Sequence, residues 1–215
     1  MTVVSVKNDD YVNNKFFARP EMNANFEDLT PKARRTRSAL LEAARAELGN
    51  RGVSGVTVMA VCERAGVGRT SFYNYFEDTG ALVSTVAEEA AKDIKERFDA
   101  LHSGVPRGRK RLEACLRMIL DTAANDSEAI LLVTSLANSV PKIMELLRAE
   151  ISAELAACAR DPAENQPVLV DHLTQTVLAL AHQMAMGNLA KDNVERHVEF
   201  MMRAVGKVGH SYASR

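Results

Sequence analysis

The sequence contains no tryptophan, and aromatic residues make up only 5% of it. With nine methionines alongside, that composition leans toward helices. Cysteine is scarce too. The three present (Cys62, Cys115, Cys158) are odd in number, widely spaced and without a C-x-x-C pair, so they read as reduced thiols of a cytosolic protein and not as a disulfide framework. No apolar run reaches the ~18 residues of a membrane-spanning helix, and the N-terminus lacks a basic region followed by an apolar stretch. Secretion and membrane association are thereby disfavoured, and a cytoplasmic location is expected. The marks of catalysis are missing as well. The five histidines (His102, His172, His182, His197, His210) include no i, i+4 pair, and no His/Cys cluster has zinc spacing. There is no phosphate-cradling glycine loop and no nucleophile elbow. An enzyme, a metal site and a cofactor are not expected.

What is present is an ordinary globular balance, 47% hydrophobic and 26% charged over 215 residues, enough for one or two domains with a sizeable core. The net charge of −1 conceals a gradient. Residues 32–76 carry eight basic side chains (Lys32, Arg34, Arg35, Arg37, Arg45, Arg51, Arg64, Arg69) against Glu42, Glu47 and Glu63, while the segments on either side are net acidic. One short basic segment on an acidic body points to an anionic partner met by that segment alone. A solvated charged helix face is the bland alternative on charge alone.

Residues 1–29 read as an N-terminal arm, rich in Asn and Asp and without helical period. It nevertheless holds Tyr11, Phe16, Phe17 and Phe26, so part of it is expected to dock on the body or on a second subunit. From Thr30 helical signals take over. Thr30 is a plausible N-cap with Pro31 at the first helical position. Leu40, Leu41, Ala44 and Leu48 recur at helical spacing, and Gly49 and Gly52 are expected to close the helix. Thr57 caps a short helix broken at Gly66-Val67-Gly68. Arg69 to Phe76 forms a third, with Phe72 and Phe76 one turn apart on its inner face. A fourth runs over about 79–102, with Leu82, Val86, Ala90, Ile94 and Leu101 in one stripe. Further helices are predicted at about 109–124, 127–138, 141–160, 167–190 and 192–212. No stretch alternates with period two for long enough to make a strand, so the fold class is all-α. The expected divisions are the arm (1–29), a three-helix unit (30–78), a connecting helix (79–102) and a C-terminal helical unit (103–215).

Residues 57–76, TVMAVCERAGVGRTSFYNYF, have the layout of a helix-turn-helix, two short helices around a tight glycine-containing turn. The second helix carries a polar face able to enter a major groove. Arg69 can reach a guanine edge with both arms of its fork, Asn74 can pair with adenine, and Thr70 and Ser71 can bond base or phosphate. Tyr73 and Tyr75 offer hydroxyls to phosphates, while Phe72 and Phe76 hold the helix against the core. A buried corner of an ordinary helical bundle is the competing reading.

Residues 32–100 resemble the DNA-binding domain of the TetR family of bacterial transcriptional regulators. The matching features are the Arg/Lys-rich first helix, Gly52 before Val56-Thr57, the Ala65-Gly66-Val67 turn, Ser71-Phe72-Tyr73, and Tyr75-Phe76 followed by Leu82. The rest of the chain matches in architecture. The resemblance implies that Arg69, Thr70, Ser71, Tyr73, Asn74 and Tyr75 read operator DNA, with Thr57 beside them and Lys32, Arg34, Arg35 and Arg37 approaching the backbone. Three positions depart from the family pattern: Gly68 where Ser or Thr is frequent, Thr79-Gly80 where Lys then Glu is usual, and Met59 where a polar or basic residue often assists. Fewer phosphate contacts and a shallower salt dependence are expected.

The last helix carries Val194, Val198, Met201, Val205, Val208 and Tyr212 at alternating steps of four and three, a narrow apolar seam. The helix before it is apolar on two sides, with Leu169, Leu173, Leu180 and Met184 on one and Val170, Val177 and Ala181 on the other. The resemblance implies that Leu169, Leu173, Val177, Leu180, Val194, Val198, Met201, Val205 and Val208 pair with their copies in a homodimer. Burial inside a monomer is the alternative. A dimer would present two reading helices about one DNA turn (~34–36 Å) apart on a palindrome. The resemblance also implies an effector pocket in the Met-rich body. Its candidate lining is Phe98, Leu101, Cys115, Met118, Ile119, Leu136, Met144 and Met184, with His102, Asn138, His182 or Gln183 as polar anchors. The partners so implied are double-stranded operator DNA, a second copy of the chain and a small-molecule effector, and the function is that of a ligand-released repressor. The altered Met59, Gly68 and Thr79 leave one alternative open, a helical sensor or scaffold whose helix-turn-helix is structural.

Overall fold

The computed structural model describes residues 30–158 and 166–208, and among these every regular element is helical. The helices are α1 (Pro31–Arg51), α2 (Val58–Ala65), α3 (Arg69–Tyr75), α4 (Thr79–Gly104), α5 (Arg109–Asn125), α6 (Ser127–Ala137), α7 (Pro141–Cys158), α8 (Gln166–Ala185) and α9 (Val194–Val208). Short 3-10 turns occupy Val53–Gly55 and Lys191–Asn193. The arm over 1–29, the link around 161–165, and Tyr212 and His210 lie outside the described residues.

The starts of the helices follow from capping chemistry. Thr30 Oγ1 accepts the amide of Ala33 at 3.2 Å, with Pro31 at the position that needs no N–H. Thr57 Oγ1 accepts from Ala60 at 3.1 Å, Asp78 from Ala81 at 2.8 Å and Asp126 from Ala129 at 3.1 Å. Each satisfies an amide that the first helical turn leaves without a partner. Gly66 closes α2 in the left-handed region (φ 67°, ψ 31°), and the amide of Val67 returns to Cys62 O at 3.0 Å.

Several boundaries differ from expectation. Helix α1 runs on through Gly49 to Arg51, with Gly52 as its C-cap. Gly49 lies inside it, on the side that faces α6, where an added Cβ would make ordinary contact with Leu131 Cβ at 3.7 Å. Helix α8 stops at Ala185, five residues short of its expected end, where Gly187 turns the chain at φ 78°. Helix α9 begins at Val194, after the 3-10 turn.

The core is continuous from one end to the other. Phe72 is fully buried and Phe76 nearly so, with ring centroids 5.9 Å apart, against Leu40, Leu48 and Leu82. The same cluster runs on through Val86 and Phe98 of α4 to Leu112, Leu116 and Leu120 of α5 and Val177 of α8. Truncation of a side chain such as Phe72 in so closed a setting costs about 3–5 kcal/mol. Buried Glu154 ties α7 to the turn before α5, accepting the Gly108 amide at 2.7 Å with Arg111 at 3.5 Å.

Candidate functional site

Helices α2 and α3, with the Gly66-Val67-Gly68 turn, make the helix-turn-helix, and burial sorts its residues into two sets. Val61, Cys62, Phe72 and Phe76 face inward. Arg69, Thr70, Tyr73 and Asn74 are exposed, and Ser71 and Tyr75 are half-buried, with Tyr75 packed on the core. The Phe72 ring meets Tyr73 edge-on at 5.3 Å, so the buried residue also orients its exposed neighbour. The side-chain oxygen of Thr57 is already engaged as the α2 cap, but its hydroxyl proton remains a donor. Gly68 stands at the start of α3 and supplies no side-chain cap.

The basic segment divides in the same way. Arg64 reaches Glu47 at 2.8 Å, Arg51 reaches it at 3.7 Å, and Arg45 pairs with Glu89 of α4 at 2.8 Å. The Arg64 and Arg45 pairs tie α1 to α2 and α4, while Arg51–Glu47 lies within α1. Arg37 lies over the Phe76 ring, 5.5 Å from its centroid, a stacked position at the foot of α3. Lys32, Arg35 and Arg69 are exposed and Arg34 is half-buried. Met59 is 54% exposed on α2, an apolar side chain on an otherwise polar surface. The Cys62 thiol, just behind α3, is pushed up by burial, against a lowering pull from Arg69.

A second feature lies in the helical body. A cavity of about 110 Å³ sits where six helices converge. Its walls come from Ile94 and Phe98 of α4, Met118 and Ile119 of α5, Ile130 and Leu132 of α6, Leu147 of α7 and Leu178 of α8. Polar groups are few: Arg45 from α1, Asp93 and Arg97 from α4, and Thr122 from α5. An adjoining outer groove of about 450 Å³ shares Arg97, Met118 and Thr122 and includes Leu101.

Of the pocket residues expected from the sequence, Phe98, Met118 and Ile119 line the cavity. The others do not. Leu136, Cys115 and Met184 are fully enclosed core side chains, Met144 is buried, and Asn138 is exposed at the end of α6. Burial pushes the Cys115 thiol up to about 12, with the Glu150 and Glu154 charges adding to it. His102 Nε2 lies 3.0 Å from Glu150 Oε2, and His182 Nδ1 lies 3.1 Å from Thr134 Oγ1. Both imidazoles are thus joined to neighbouring helices, and Gln183 is exposed. Arg45, Arg97, Ile130 and Leu178 were missed. The available signal was the α4 row Ala90, Ile94, Phe98, whose period places Asp93 and Arg97 on the shoulder of an apolar face.

Five of the nine expected dimer residues are enclosed within the chain itself. Leu173, Val177, Val194, Val198 and Met201 are all at most 8% exposed within a single chain, so they pack its own core and leave nothing for a partner to touch. A helix on the edge of a bundle needs such a seam for its own docking. Leu169, Leu180 and Val205 are half-buried against that core, and the Val208 side chain lies outside the described residues. Exposed large apolar side chains in this part of the chain are Val168 on α8 (54%), Met186 in the turn just after it (55%) and Phe200 on α9 (73%). Among the described residues no group of three His, Cys, Asp or Glu side chains is gathered as a metal site, and no single helix is long and apolar enough to cross a membrane.

Residues 40–86 match the family model for bacterial regulatory proteins of the tetR family. No curated protein matches the sequence closely enough to count as a relative. Solved structures do match. A TetR-like transcriptional regulator from Rhodococcus sp. RHA1 superposes with a TM-score of 0.67 at 16% identity, over 84% of this chain and 100% of that one. FadR from Bacillus subtilis, a transcriptional regulator in complex with stearoyl-CoA, gives 0.63 at 12% identity over 77% and 97%. NalD, the secondary repressor of the MexAB-OprM multidrug efflux pump in Pseudomonas aeruginosa, gives 0.58 at 18% identity over 80% and 96%. At such identities the likeness is one of fold. The helix-turn-helix segment is that of the bacterial tetR family of regulatory proteins, and it is set on a chain with the fold of TetR-like transcriptional regulators.

Proposed function

We propose that this protein is a homodimeric, sequence-specific DNA-binding repressor that a small molecule releases from its operator. The observation that carries the reading is the outward face of α3, with Arg69, Thr70, Tyr73 and Asn74 exposed above the buried Phe72. Donors and acceptors of these types, fixed on a rigid helix, suit base edges and phosphates. Lys32 and Arg35 at the start of α1, and Arg34 beside them, supply the charge for backbone contacts. The DNA-binding unit is taken as residues 30–78, with α4 as the connecting helix.

The cavity supports the sensing half. It is walled by α4 to α8 and reached from α1 by Arg45, so a ligand there touches both the body and the first helix of the 30–78 unit. A ligand bound better by a state whose two reading helices are wrongly spaced would release the operator, and a 10-fold loss needs only ~1.4 kcal/mol of differential binding. The exposed Phe200 on α9 and Met186 just past α8 support a partner copy on that side.

Electrophoretic mobility shift against the gene's own upstream region tests the reading, with Arg69→Ala and Tyr73→Phe as controls. Weakened binding in both, more for Arg69→Ala, with dimerisation intact, is the expected result. A dimer that ignores every duplex at low salt would instead mean a helical scaffold with a structural helix-turn-helix.

A further inference from the structure

We propose that the body cavity takes a small apolar carboxylate, its hydrocarbon end against Ile119, Ile130 and Leu178 and its carboxylate on the guanidinium of Arg97. The inference rests on the cavity being the effector site and supplies the chemical class of the effector.

Three observations lead there. The first is the wall, which is aliphatic and aromatic except at the rim. Such a surface favours a hydrocarbon over a sugar or a nucleotide, whose hydroxyls would lose their hydrogen bonds. The second is size. A cavity of about 150 Å³ holds benzene, so the 110 Å³ here suits a chain of about four to six carbons. A long acyl chain of the kind FadR holds would not fit within it.

The third is charge. Among the lining residues Asp93 is the single acid, against Arg45 and Arg97. Arg45 is held by Glu89 at 2.8 Å. Among the described residues Arg97 has no carboxylate within ion-pair distance, and its Nη1 donates to the neutral Thr122 hydroxyl at 3.2 Å. A guanidinium offers five donors in a planar fork that matches a carboxylate with two parallel bonds, and here most of them are uncommitted. Arg97 and Thr122 also border the outer groove, so the charged end sits at the entrance while the hydrocarbon end points inward. That arrangement lets the carboxylate stay partly hydrated, and hydrocarbon burial supplies most of the affinity.

The test is titration of the full-length protein, without DNA, by ligand-observed NMR with butyrate, hexanoate, hexan-1-ol and hexylamine. Hexanoate is expected to bind saturably. Affinity should tighten about fourfold per added methylene from butyrate to hexanoate. Hexylamine should bind about 10-fold more weakly than hexanoate or worse. Arg97→Gln, a change at an exposed side chain, should weaken hexanoate by about 10-fold and leave hexan-1-ol unaffected. The proposal is overturned if hexanoate shows no saturation up to about 10 mM, if hexylamine binds as tightly, or if Arg97→Gln changes nothing. Adding hexanoate to the operator complex separates the two readings. Binding to the protein with the operator still occupied leaves this site standing and removes the effector role.

Discussion

Arg69 and Tyr73 both stand on the exposed face of α3, yet their substitutions should read differently. Arg69→Ala removes a side chain able to specify a base and should cost about 1–3 kcal/mol of operator affinity, with relaxed preference at one position of the site. Tyr73→Phe removes one hydroxyl, and if that hydroxyl touches phosphate the loss is smaller and uniform across sequences. Competition with scrambled duplexes distinguishes the two patterns. Cys115 has a different consequence. Its thiol is held near 12 when folded against an ordinary value of 9.0, so the folded state keeps a proton that the unfolded chain gives up. Stability from this group is complete below pH 9 and lost progressively as pH rises toward 12. Alkaline unfolding of Cys115→Ala, followed by circular dichroism, should therefore show a weaker loss over that range than the parent.

At the scale of the element, the sequence was most legible where a local rule decides the outcome. Thr30 and Thr57 as caps, Gly66 as a left-handed stop and the Phe72–Phe76 pair were all readable, because each depends on neighbours within one helical turn. The ends of α1 and α8 were not. Gly49 stays helical with α6 lying against it, a contact between residues 82 positions apart. The α9 seam was visible as a pattern, but spacing alone cannot say whether an apolar stripe meets its own chain or another. The cavity was least legible of all, since six helices contribute to it and only three of its residues had been named. One departure from the family pattern gives a prediction for α4. Asp78 already caps that helix and Thr79 opens it, so Thr79→Lys adds a cation at its first residue without removing a cap. If that position approaches phosphate, the slope of log affinity against log salt should steepen by about 1, measured by fluorescence anisotropy on labelled duplex.

For the whole molecule the question is where two copies meet. Phe200 on α9 is 73% exposed, and Val168 on α8 and Met186 just past its end are exposed as well. Phe200→Glu combined with Met186→Glu should shift the protein from dimer to monomer in sedimentation velocity at micromolar concentration, with helicity unchanged. The same substitutions made at Val198 or Met201 should unfold the chain, because those side chains belong to its own core.

The unbroken apolar interior also limits how this chain can be recombined. Leu131 lies against the backbone of α1 at Gly49, and one hydrophobic cluster joins Phe72 to Val177. A fragment ending after α4 would lay bare the flank of α1 that α6 now covers. A chimera grafting this reading domain onto a foreign sensor would inherit a mismatched joint unless α6 travelled with it. Changes in specificity are therefore expected to accumulate by substitution on the outer face of α3, and not by exchange of halves.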